Sequence, residues 1–191
     1  MENTKPDIAV ILGSVREGRN GEKVAKWFMK EAGQNQSANL RLVDLLDYPL
    51  PIYADSDVVK NRSGAHPNPA VQKWLDVVES ADGYIIITPE YNRSFSSVLK
   101  NAIDYGYKQW NNKPVGFVSY GAFAGGARAV EQLRTIAAEL QMYDVRDHVS
   151  IAKIWQAFGP DGKLTEDNDR QEKTANAIVE KVAELAVKLK S

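Results

Sequence analysis

The sequence contains no cysteine and only two histidines. The first absence excludes disulfides, thiolate metal sites, cysteine nucleophiles and cysteine-ligated iron–sulfur clusters together. His66 and His148 lie far apart, without neighbouring ligand spacing, so no metal site is expected. An excess of one charge is missing as well. With 24 basic and 25 acidic residues the net charge is -1, which gives no reason to expect a nucleic-acid or membrane-surface partner. No apolar run approaches the roughly 20 residues that span a bilayer. Residues 1–7 are polar and lead into a short apolar stretch, without the longer apolar region and cleavage site of a secretory signal. The expectation is a cytoplasmic enzyme or binding protein.

What is present suits one globular domain over residues 1–191, with 43% hydrophobic and 26% charged residues and no linker or repeat. Short apolar runs alternate with amphipathic stretches. Strands are predicted at residues 8–12, 40–44, 83–88, 115–118 and 148–151. The run Ile85, Ile86, Ile87 suits a central parallel strand covered on both faces. Helical spacing joins Val24, Ala25, Trp27 and Phe28 after Asn20 or Gly21, then Val98, Leu99, Ala102 and Ile103. It recurs at Ala129, Val130, Leu133, Ala137 and Leu140, and most cleanly at Ala175, Ile178, Val182, Leu185 and Leu189. Five strands interleaved with helices predict an α/β fold with a parallel sheet. Residues 48–69 and 158–167 lack periodicity. The first stretch reads as either a partner-contact loop or a lid.

Open α/β sheets bind ligands beyond the carboxyl ends of their strands, where strand order reverses. That selects three loops. The first, residues 13–21, offers glycines, the hydroxyl of Ser14, the guanidinium of Arg16 and a following helix N-terminus, all suited to phosphate. A plain strand–helix turn with exposed arginines is the alternative. A dinucleotide fingerprint fails at Val15, and a nucleoside-triphosphate loop fails at Arg19-Asn20. The second loop, residues 88–94, holds Pro89, Glu90, Tyr91 and Asn92, with Ser94, Ser96 or Ser97 able to cap the next helix. Tyr91 and Asn92 pair a flat apolar surface with hydrogen-bonding ends, which is useful for a polar heteroaromatic ring; ordinary packing is the alternative reading of Tyr91. Glu90 has a second reading as a general acid–base. The third loop, Ser119, Tyr120 and Gly121 with Gly125 and Gly126, permits close backbone approach to a planar ligand.

At these loops the sequence resembles the NADPH-dependent FMN reductase family, with its bacterial chromate and quinone reductases and azoreductases. The matching residues are Gly13-Ser14-Val15-Arg16, residues 89–94 with 99–104, and Ser119-Tyr120-Gly121 with Gly125-Gly126. The resemblance extends over nearly the whole chain. It implies a flavodoxin-like three-layer sandwich whose five-stranded parallel sheet runs in the order 2-1-3-4-5. It further implies that Ser14, Arg16 and Asn20 hold the FMN phosphate, with Gly13 and Gly21 also among the cofactor-binding residues. Pro89, Glu90, Tyr91 and Asn92 would border the flavin on one side, and Ser119, Tyr120 and Gly121 on the other. The sequence departs from the family pattern at Asn20, where serine is common, and at Phe95-Ser96-Ser97, where an aliphatic-Pro-Gly is frequent.

The expected activity is a two-electron ping-pong cycle. NAD(P)H delivers hydride to flavin N5 and leaves, and a quinone, azo compound, free flavin or oxidised metal species then takes the electrons. No side chain need act as a catalytic residue. Two rivals are a non-catalytic electron carrier of flavodoxin type and a redox-sensing FMN-binding interaction protein. Family members form homodimers or homotetramers, so Trp110 or Tyr107 is a candidate to reach a neighbouring subunit's flavin. The four tryptophans are otherwise expected in cores or subunit contacts. Arg19, Arg93 and Lys108 are candidates for a 2′-phosphate contact.

Overall fold

The computed structural model describes residues 5–56 and 58–190. Five parallel strands, β1 (Asp7–Leu12), β2 (Asn39–Asp44), β3 (Gly83–Pro89), β4 (Pro114–Tyr120) and β5 (Tyr143–Ile151), form one sheet in the order β2-β1-β3-β4-β5. Five helices connect or follow them: α1 (Gly21–Ala32), α2 (Pro69–Ser80), α3 (Ser97–Asp104), α4 (Ala127–Glu139) and α5 (Asn168–Lys190). This is the flavodoxin-like three-layer arrangement that the alternation of elements and the family resemblance lead one to expect.

Strand alternation divides the core in two. Ile8, Val10 and Leu12 face α1 and α5 with Val24, Phe28, Ile178 and Val182, whereas Ala9 and Ile11 face α2, α3 and α4 with Trp74, Leu99 and Leu133. β3 and β4 are buried along their whole length, as central strands covered on both faces must be. β2 lies at the sheet edge and is mostly exposed.

Two elements and one side chain differ from the sequence reading. α2 was not anticipated, although its signals are present. Asn68 accepts from the Ala70 N–H at 2.9 Å, Pro69 takes the first turn, and Val71, Trp74, Leu75 and Val78 form the buried stripe. β5 begins five residues earlier than predicted, at Tyr143 rather than His148. An irregularity in its pairing with β4 between Val115 and Phe117 breaks the alternation there, and the edge position keeps its first half polar. Trp110 is buried and donates to the Ile103 carbonyl at 3.2 Å, so it is core and cannot reach another subunit's ligand. Trp27 and Trp74 are likewise core, while Trp155 is 60% exposed.

The described part of residues 48–69 is not a free flap. Asn101 of α3 accepts from the Tyr53 N–H and donates to the Pro51 carbonyl, both at 2.8 Å. His66 is buried and lies 3.1 Å from Asp55, which also binds Arg62. Among the described residues, no helix is long and apolar enough to cross a membrane.

Candidate active site

Sheet order reverses between β1 and β3, and the loops that follow them lie side by side. After β1, the Gly13 N–H extends the ladder to the Ile87 carbonyl at 2.8 Å. The Gly13 carbonyl accepts from the Ser96 hydroxyl, which also caps α3 through the Leu99 N–H at 3.3 Å. Of the three serines able to cap α3, Ser96 does so, and it thereby fastens the second loop to the first. Ser14 is buried, and its hydroxyl shares a 3.1 Å hydrogen bond with the Tyr91 hydroxyl.

The arginines of the first loop part company. Arg19 turns inward, where its guanidinium binds the Ser14 carbonyl, Glu22 at 3.3 Å and both carboxylate oxygens of Asp44, one at 2.8 Å. It is a buried strut between β1 and β2, and so no surface site for a 2′-phosphate. Arg16 is exposed and makes no ion pair among the described residues. Asn20 occupies the N-cap position of α1 with helical backbone angles and no side-chain cap; the Lys23 N–H bonds the Asn20 carbonyl at 3.0 Å, and the N–H groups ahead of it in the first turn are left to solvent or an anion.

The second loop leaves β3 through Pro89 and makes a tight two-residue turn. Tyr91 and Ser94 exchange backbone hydrogen bonds at 2.8 and 3.0 Å, with Asn92 at φ 50 and Arg93 at φ 69. Left-handed backbone at Arg93 costs on the order of 1 kcal/mol, so something must hold it. Gln132 of α4 does, donating to the Arg93 carbonyl at 2.8 Å and accepting from the Ser94 hydroxyl at 2.7 Å. Glu90 is held from the same helix: Arg128 Nη1 lies 2.6 Å from Oε1. A carboxylate so engaged is poorly placed for the acid–base role that its sequence position left open. Arg93 and Lys108 are both exposed.

The third loop follows β4. The Ser119 hydroxyl is buried and donates to the Gly125 carbonyl at 2.8 Å, so it sets loop shape and presents no free donor to a ring. Gly126 starts α4 at φ 88, where a Cβ would lie 2.6 Å from that of Ser119. A Cβ on Gly121 would touch the Glu90 Cβ at 3.3 Å, which puts the second and third loops in contact. Tyr120 reaches back to the first loop, its hydroxyl against Gly21 at the start of α1. That hydroxyl is buried, and the Ser14 side chain of the first loop interacts with it.

Each of the three loops thus touches the other two. The expected residues Gly13, Ser14, Asn20, Gly21, Pro89, Glu90, Tyr91, Asn92, Ser119, Tyr120 and Gly121 come together at the carboxyl edge of the sheet, with Arg16 at the rim. The donor set fits a phosphorylated flavin: an uncapped helix N-terminus and an exposed arginine without an ion pair among the described residues for the phosphate, and a tyrosine-bearing turn for the ring. Sequence reading offered Ser96 as one of three caps for α3 and missed the supporting roles of Arg128 and Gln132.

Residues 6–156 match the family model described as NADPH-dependent FMN reductase. An NAD(P)H-dependent FMN reductase of Schizosaccharomyces pombe is 34% identical over 72% of this chain and 68% of its own length. A quinone reductase of Pseudomonas putida is 32% identical over 92% of both chains. Among solved structures, the flavoenzyme NAD(P)H:(acceptor) oxidoreductase FerB from Paracoccus denitrificans superposes with a TM-score of 0.73 at 25% identity, covering 96% of this chain and 98% of that one. A fold with its strand-order reversal beside three converging loops, and a match that takes in all three of them, make this chain a member of the NADPH-dependent FMN reductase family, an NAD(P)H-dependent oxidoreductase with FMN as its flavin.

Proposed function

We propose that the three strand-end loops form one FMN site and that the enzyme passes electron pairs from NAD(P)H to small oxidants, quinones first among them. The observation that carries this reading is the mutual contact of the loops, through Ser14–Tyr91, Glu90–Gly121 and Tyr120–Gly21. When bound, FMN supplies the hydride and electron chemistry. The chain supplies position. Arg16, Ser14 and the α1 N-terminus bind the phosphate, and the turn at Tyr91 and Asn92 sets the plane of the ring. Arg128 holds Glu90 so that the turn keeps its place. Azo compounds, free flavins and oxidised metal species are further proposed acceptors, because a loop-built site on an open sheet edge selects acceptors only loosely.

The large apolar side chains Leu46 and Ile52, 57% and 87% exposed on the segment after β2, support a homodimer or homotetramer. The proposed location is the cytoplasm, where reduced nicotinamide nucleotides are supplied. The test is an absorbance spectrum of the purified protein, then anaerobic titration with NADH and NADPH and turnover with a quinone. Bleaching of a bound flavin by either nucleotide and quinone-dependent turnover are expected. A protein that takes up no FMN, or holds it without oxidising either nucleotide, would refute the reading.

A further inference from the structure

Two large aromatic side chains stand in solvent at the carboxyl edge of the sheet. Phe123 is 80% exposed and Trp155 60%, and their rings meet edge to face, with centroids 6.0 Å apart and planes at 80°. The other three tryptophans, Trp27, Trp74 and Trp110, are buried in the core. A single exposed apolar side chain is ordinary, but a contiguous aromatic pair marks a place where something binds.

The pair is held in place by its backbone. Phe123 belongs to the loop after β4, and Trp155 to a single turn of 3₁₀ helix, Ile154–Gln156, after β5. The Lys153 N–H donates to the Ala122 carbonyl at 2.9 Å and the Ile154 N–H to the Gly121 carbonyl at 3.1 Å, so the two segments are zipped together. These bonds keep Lys153 in left-handed backbone, at φ 47, which an L residue adopts rarely. The corner between the two rings is therefore preorganised. A flat ring that enters it can stack on one aromatic face and turn its edge to the other. Lys153 adds a cation two residues before Trp155, and its ion pair with the exposed Glu166, at 3.9 Å, is worth little in water.

The position narrows the occupant. Phe123 lies two residues, or about 7 Å of chain, beyond Gly121, which touches Glu90 at the edge of the proposed flavin site. A small oxidant on the flavin has no atoms to spare for a corner outside the ring site. NAD(P)H does, because a dinucleotide that presents its nicotinamide to the flavin carries a second aromatic base beyond a charged pyrophosphate.

We infer that the corner between Phe123 and Trp155 receives the adenine of NAD(P)H, with Lys153 as a charge partner of the pyrophosphate. The inference rests on the FMN site proposed above and gives the electron donor a second anchor that small oxidants do not use. Adenine is common to NADH and NADPH, so the corner favours dinucleotides over shorter hydride donors without choosing between the two.

The experiment has two arms. In the first, anaerobic rapid mixing measures flavin reduction in the FMN-loaded wild type, Phe123→Ala and Trp155→Ala, by NADH and by reduced nicotinamide mononucleotide, which lacks the adenylate. The half-saturating NADH concentration should rise roughly tenfold in either variant, as loss of one base-stacking side chain implies. The limiting rate should stay within about twofold, because the lost contact is the same in ground and transition states. The half-saturating mononucleotide concentration should move by less than about twofold, as for an ordinary surface substitution. In the second arm, ADP should shield Trp155 from acrylamide quenching in the flavin-free wild type, and much less in Phe123→Ala. Lys153→Gln should weaken the shielding by ADP and not that by adenosine.

Equal weakening toward NADH and the mononucleotide would overturn the inference, and so would an unchanged response to NADH. Acrylamide access to Trp155 that falls as protein concentration rises would overturn it as well, since a second copy would then cover the pair. If the protein takes up no FMN, the FMN reading fails, yet the second arm still decides: quenching that ADP leaves unchanged rejects the adenine corner.

Discussion

Both oxygens of the Glu90 carboxylate are engaged by a single residue, Arg128, whose Nη1 lies 2.6 Å from Oε1 and whose backbone N–H lies 3.3 Å from Oε2. The carboxylate sits at the first turn of α4, where the helix dipole favours negative charge, and its side chain is only 10% exposed. The loop that borders the proposed flavin is thereby braced by the helix that follows the third loop.

Arg128→Ala should cost about 1–2 kcal/mol of stability, because it strips a charged hydrogen bond from a largely buried acceptor. Glu90→Gln should cost less, and the double variant should reveal a coupling of about 1 kcal/mol in urea denaturation. Additive losses would show that the pair does not brace the loop.

The parts of this arrangement differ in how far they were legible in the sequence. The Ile85–Ile87 run and the stripe through Ala175, Ile178 and Val182 identify β3 and α5 because burial demands apolar side chains at fixed spacing. The three loops stand out because glycine, serine and arginine cluster where a sheet binds ligands. What escaped was set by contacts between distant segments. Nothing local distinguishes Gln132 from any exposed helical glutamine, since its importance lies in the left-handed turn at Arg93 some forty residues earlier. Arg16 and Arg19 look equivalent in sequence, and only Asp44 on the neighbouring strand makes one a strut and leaves the other unpaired.

Tyr84 gives the alkaline limb of stability a predictable sign. Fully buried, it donates to the carbonyls of Val78 at 2.7 Å and Gln109 at 3.0 Å, and burial, with smaller contributions from Asp82 and Glu79, pushes its pKa well above the usual phenol range. The folded state therefore keeps a proton that the unfolded chain releases near pH 10, about the ordinary tyrosine value. This contribution is complete below that pH and declines above it. Tyr84→Phe should be less stable by about 1–2 kcal/mol at neutral pH, with a gap that narrows above about pH 10. Lys113, driven down to about 8 by burial, acts in the opposite direction between that value and its ordinary one near 10.5, but it is present in both proteins and largely cancels. A gap constant to about pH 11 in denaturant melts would contradict the assignment.

Asn101 makes a separate prediction for the segment after β2. Its side-chain amide bonds both the Tyr53 N–H and the Pro51 carbonyl, holding the chain against α3 beside the Tyr53–Tyr105 ring contact at 5.3 Å. Asn101→Ala should speed native-state proteolysis within residues 51–66 severalfold while moving the global midpoint little, because local opening is governed by local contacts. Cleavage no faster than in the wild type would mean that other contacts fix the segment.

Arg16 separates binding from folding more cleanly than any other residue of the site. It is exposed, has no ion pair among the described residues, and lies in the turn closed by the Arg19 N–H to the Arg16 carbonyl at 3.2 Å, a bond its side chain does not share. Arg16→Ala should thus leave the stability of the flavin-free protein within about 0.5 kcal/mol. FMN affinity should fall by roughly ten- to a hundredfold through loss of the charged fork on the phosphate, and the remaining affinity should depend less on salt, because an exposed charge pair is screened. Arg16→Lys restores the charge but not the planar fork and should recover only part of the loss. Flavin affinity indifferent to Arg16→Ala at low ionic strength would take the phosphate away from the first loop. The uncapped start of α1 would then need another anion to explain it.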